Sequence, residues 1–194
     1  MFSGGIDSTY VAYNHMKNNP DETLLLYHIN LYNKENRANC EKSSINKILN
    51  YFQNNNLTNY LYLESTFDYG DINWLIYDIE IAAFFIFVLL KNPQYSTINN
   101  ILLPFYMNKS KDRYQSFNRI LDMSNKNLHL IYPIKHMCKK QVIESLPKEL
   151  YDLTWYCRTP KNNKPCGLCI TCIEVHNANA SYTVTENNIL AMEP

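Results

Sequence analysis

Short apolar runs alternate with longer stretches whose apolar residues recur every three or four positions. Four runs have strand length: Thr23–Tyr32 (TLLLYHINLY), Asn59–Glu64 (NYLYLE), Ile98–Leu103 and Leu128–Tyr132 (LHLIY). Helical periodicity predicts a helix from Asp7 to about Asn18, ended by Asn19-Pro20. It predicts a second over Glu41–Gln53, with Ile45, Ile48, Leu49 and Phe52 on one face, and a long one over Asp71–Lys91 with Asp71 as N-cap. Two more are predicted over Ser110–Met123 and Lys139–Leu146, the last stopped by Pro147. Strands apolar throughout need cover on both faces, so the pattern predicts an α/β fold with a doubly wound parallel sheet. From Leu150 the alternation gives way to a cysteine-rich segment. The predicted organisation is therefore an α/β domain over 1–149 and a C-terminal segment over 150–194.

At 194 residues one main domain with a small appendage is expected. Lysine and arginine total 18, and aspartate and glutamate also total 18, so no overall field gathers nucleic acid or an acidic membrane. A small-molecule substrate fits better, although Lys139, Lys140, Arg158, Lys161 and Lys164 supply a local basic patch. The apolar run Trp74–Leu90 is interrupted by Asp78 and Glu80, and its clean part, Ile81–Leu90, falls short of the ~20 residues that span a bilayer. It reads as a buried helix. No signal peptide opens the chain, which points to the cytoplasm and to reduced cysteines.

Ser3-Gly4-Gly5-Ile6-Asp7-Ser8 is the first candidate for chemistry. Paired glycines let the backbone approach an anion, and a helix opening at Ile6 or Asp7 aims its free N–H groups and positive dipole end at it. The hydroxyls of Ser3, Ser8 and Thr9 add donors. Neither a Walker A Gly-Lys-Ser/Thr nor a G-x-G-x-x-G follows, so this is a different kind of phosphate loop.

Cys166, Cys169 and Cys172 are spaced three apart, and Cys157 lies nine residues upstream. Such spacing lets successive sulfurs turn toward one ion. Four thiolates in a reducing compartment fit tetrahedral zinc best, with an iron–sulfur cluster as the alternative; two disulfides are disfavoured. Four protein ligands leave no open position, so the role is structural. Cys40 and Cys138 lack this spacing and read as ordinary thiols, and His28, inside an apolar strand, reads as a core histidine.

The segment Ser3–Ser8 resembles the SGGxDS signature of the PP-loop ATP pyrophosphatases, with all five fixed letters present. Together with the C-terminal Cys…CGxCxxC pattern, it is similar to the family of 7-cyano-7-deazaguanine synthases of queuosine biosynthesis. Tyr132-Pro133-Ile134 followed by Lys139, Thr154 before Cys157, Pro165 before Cys166, and Arg37 agree with that family's pattern.

The resemblance implies an ATP-dependent ligase. It would adenylate the carboxylate of 7-carboxy-7-deazaguanine, form the amide with ammonia, and activate it again to reach the nitrile. It implies ATP and Mg2+ at Ser3, Gly4, Gly5, Asp7, Ser8 and Thr9, with Asp7, Ser8 and Lys139 catalytic and Zn2+ on Cys157, Cys166, Cys169 and Cys172. A homodimer is compatible with it.

Family members place a buried strand directly before the signature, whereas only Met1 and Phe2 precede Ser3 here. The expectation is a native chain that begins about ten residues earlier. Ile173, Glu174 and Val175 stand where the family carries an arginine, and Pro104 where it carries a glycine. The acceptor therefore stays open to a protein or tRNA group, and a non-catalytic, zinc-stabilised interaction module is the alternative from another class.

Overall fold

A computed structural model describes residues 1–72, 78–106, 111–123 and 127–187; for 111–114, 116 and 181–187 it describes the backbone alone. The elements in order are α1 (Ile6–Asn18), β1 (Leu24–Tyr32), α2 (Ala38–Asn54), β2 (Tyr60–Asp68) and α3 (Asp78–Lys91). They continue with β3 (Asn100–Leu102), α4 (Lys111–Asp122), β4 (His129–Ile131), α5 (Lys139–Glu144), α6 (Lys148–Tyr151) and α7 (Ile170–Asn187).

The fold is mixed α/β with short parallel sheets. β1 pairs with β2 in register from Leu24↔Tyr60 to Tyr32↔Asp68, and β3 pairs with β4 from Asn100↔His129 to Leu102↔Ile131. The described strands form two parallel pairs. A cavity of about 610 Å³ lies between them, lined by Met1, Leu26 and Tyr27 and by Ile101, Leu102 and Ile131. Beside it, the Phe2 N–H donates to the Tyr27 carbonyl at 2.7 Å, so the first residues run along β1.

β1 shows why its sequence is mostly apolar. Leu26 packs with Val11, Met16, Ile45, Ile48 and Phe52 of α1 and α2, while Tyr27, Ile29 and Leu31 pack with Tyr69 and with Ile81 of α3. Both faces are covered. A third cluster joins Ala83, Ile86 and Leu90 of α3 to Ile101, Leu103, Phe117 and Leu121. Val175 of α7 enters the same cluster as Ile6 and Ile134, so the C-terminal helix shares the core beneath the glycine loop.

Several expectations are corrected. α3 is buried on one side only, because Phe84 and Val88 are 53% and 49% exposed. Its apolar composition hid which side faces solvent. Asp71 lies in a turn after β2, and residues 73–77 and 110, on which the predicted helices also fell, lie outside the described residues. α7 was missed because the cysteine pattern masked the helical period that begins at Ile170, and α6, four residues long, is too short to show a period. Among the described residues no helix is long and apolar enough to cross a membrane.

Candidate functional site

Gly4 adopts φ +68°, and a Cβ there would lie 2.7 Å from Ile45 Cγ1. Only glycine fits this close approach to α2. Gly5 is the extended N-cap of α1 with no side-chain cap, and the first N–H of the helical ladder is that of Thr9, bonded to the Gly5 carbonyl at 2.9 Å. The amides of Ile6, Asp7 and Ser8 therefore precede the ladder, the place at which a helix can take an anion.

The serines brace the loop. Ser8 Oγ accepts from the Ser3 N–H at 3.2 Å, hydrogen-bonds with Ser3 Oγ at 3.1 Å, and donates to the Gly5 carbonyl at 3.1 Å. Thr9 is fully buried, and its Oγ1 has no hydrogen-bond partner among the described residues. Its backbone belongs to the helix opening, but its hydroxyl faces the interior. From the far side the Trp155 N–H donates to the Gly4 carbonyl at 2.9 Å, fastening the loop to the segment before Cys157.

Asp7 and Lys139 meet although they are far apart in sequence. Lys139 Nζ lies 2.7 and 2.6 Å from the two carboxylate oxygens of Asp7, with side chains 18% and 26% exposed respectively. Its neighbour Lys140 instead lies 3.9 Å from Glu144, so geometry separates two lysines that sequence could not. Tyr106, which sequence reasoning missed, donates its hydroxyl to Asp7 Oδ1 and sets its ring 5.2 Å from Lys139 Nζ. Burial first, and then the Asp7 charge, hold the Tyr106 phenol protonated well above the usual tyrosine range.

The four sulfurs of Cys157, Cys166, Cys169 and Cys172 all lie within 4.8 Å of one another, a group that could hold a metal ion such as zinc. Tetrahedral Zn–S bonds set sulfurs about 3.8 Å apart, near the 3.9 Å between Cys169 and Cys157 and the 4.0 Å between Cys166 and Cys172. Cys166 accepts from the Leu168 and Cys169 amides at 3.4 and 3.3 Å. The bond from Thr159 first, and then these amides, bring its thiol down to about 5. Burial alone would raise Cys169; bonds from Thr171 and the Arg158 amide bring it down to about 7, whereas burial pushes Cys172 up to about 12. Amides aimed at sulfur are what a thiolate–metal centre uses to carry its charge. Cys40 is buried away from this group, Cys138 is exposed at the start of α5, and His28 is 2% exposed with Nδ1 bonded to the Phe2 carbonyl at 3.0 Å.

A charged network ties this centre to the body. Arg158, next to Cys157, reaches Glu35 at 2.8 Å and Asp78 at 3.1 Å. Arg37 reaches Glu35 at 2.8 Å, Glu41 at 2.9 Å and Asp78 at 2.7 Å. Burial opposes its charge, but the carboxylates of Glu41, Asp78 and Glu35 outweigh that and hold its guanidinium firmly protonated. Arg37, singled out by resemblance, is thus enclosed in an ion network.

No protein-family model matches the chain, and no curated protein matches it.

Proposed function

We propose that the chain is an ATP-dependent synthetase of the PP-loop type on a doubly wound fold. It adenylates a carboxylate and converts it with ammonia through the amide to the nitrile, with 7-carboxy-7-deazaguanine as substrate and 7-cyano-7-deazaguanine as product. The observation that carries this reading is the Ser3–Ser8 loop. It opens α1 without a side-chain cap and holds the Asp7–Lys139 pair beside it.

In this reading the α1 amides bind phosphate oxygens and Lys139 supplies a cation to them. Asp7 faces the same end and would hold Mg2+, which supplies charge neutralisation on the triphosphate when bound. The protein's work is to align the acceptor carboxylate with the α-phosphorus and to stabilise charge there. The cysteine centre holds zinc and acts structurally: its Trp155–Cys157 approach fastens Gly4, and Arg158 fastens α3.

Incubation of the purified chain with ATP, Mg2+, ammonium and 7-carboxy-7-deazaguanine tests this directly. Pyrophosphate with the nitrile is the expected result. Pyrophosphate that forms only with another carboxylate or with tRNA would move the acceptor, and no pyrophosphate with any acceptor would leave a zinc-stabilised interaction module.

A further inference from the structure

Lys139 is closed onto Asp7 in this structure, at 2.7 and 2.6 Å. A phosphate that recruits this ammonium must draw it from a carboxylate, and a carboxylate that loses its donor in a half-buried site is left costly. Beside the Mg2+ that the nucleotide reading would put on Asp7, a protein donor is needed to keep the carboxylate from following the lysine. Tyr106 meets that need from the chain leaving β3. Its hydroxyl bonds Asp7 Oδ1, one of the two oxygens that Lys139 also contacts, and its ring lies 5.2 Å from Nζ, within cation–π range.

We propose that Tyr106 is a positioning residue that fixes Asp7 while Lys139 exchanges between the Asp7 carboxylate and the phosphate of a bound nucleotide. The inference rests on the nucleotide reading above. No covalent step is involved. The ammonium changes anionic partner, the tyrosine hydroxyl keeps one donor on the carboxylate, and the ring supports the cation along its path.

The test is a double-mutant cycle read by calorimetry with Mg2+ and ATP on the full chain, using Tyr106→Phe, Asp7→Asn and both together. Tyr106→Phe is expected to weaken binding about three- to tenfold in the parent chain and less than twofold beside Asp7→Asn, with the thermal midpoint unchanged. Equal losses in both backgrounds would overturn the proposal, because a merely structural tyrosine costs the same with or without the carboxylate. Should Tyr106→Phe fail to fold, the Tyr106 ring resonance in 13C-tyrosine-labelled protein gives a second measure. Its chemical shift should change when Asp7→Asn is made, and an unchanged shift would reject the contact. A parent chain that takes up no ATP although its Tyr106 resonance responds to Asp7→Asn would sink the nucleotide reading and the exchange with it. ATP uptake with an additive cycle sinks the positioning role alone.

Discussion

At Gly4 a left-handed φ and a fully buried Ile45 side chain leave no room for a methyl group. Gly4→Ala should destabilise the chain by about 1–3 kcal/mol and be visible as a lowered thermal midpoint. Glu41 carries a prediction about pH. Burial raises its carboxyl from the ordinary 4.5 to about 7, against the pull of Arg37. The folded state therefore binds this proton more tightly than the unfolded chain does. The contribution to stability is complete below about 4.5 and disappears as pH rises through about 7. Glu41→Gln should flatten that decline in chemical denaturation, and an unchanged pH profile would assign the decline elsewhere. Lys139→Met, which strips the cation from the α1 terminus, should weaken ATP binding about tenfold or more, whereas Lys140→Met should leave it nearly unchanged. Comparable losses for the two lysines would break the link between the Asp7 pair and nucleotide binding.

Among the elements, the segment Cys157–Cys172 is the one whose stability depends on something other than its own core. Its residues are mostly exposed, with Leu168 at 74% and Ile170 at 69%, and its order comes from convergent sulfurs and the amides that point at them. One zinc per chain is expected by elemental analysis, and Cys169→Ser should reduce this to a small fraction. Stoichiometric metal retained in that variant would remove Cys169 from the ligand set. Arg158 connects the same segment to α3 and to Glu35, so loss of zinc should propagate to the Arg37 network before it reaches β1.

Over the whole molecule, the two parallel pairs are held together by helices and by Met1 and Phe2 rather than by a continuous ladder. The cavity lined by β1 and β3 has room for an extended segment. Five apolar residues fused ahead of Met1 should therefore raise the thermal midpoint by several degrees, and an unchanged midpoint would show that the space is not one a strand stabilises. Much of the architecture was legible from pattern. The apolar runs located four strands because strand-forming residues cluster locally in sequence, and the Ser3–Ser8 letters and cysteine spacing located a glycine turn and a four-cysteine group because turns and ligand spacings are local in sequence. Strand partition and the exposed face of α3 were not legible, since an all-apolar run carries no periodic sign of which side meets solvent. Nor was the Asp7 cluster, because Tyr106 and Lys139 reach Asp7 across 99 and 132 positions. Nothing local distinguishes Lys139 from Lys140. Local chemistry settled which backbone turns and thiols are available; the packing of α1, α5 and the β3 exit against one another decided which charged side chains meet, because long-range contacts are chosen by the buried core.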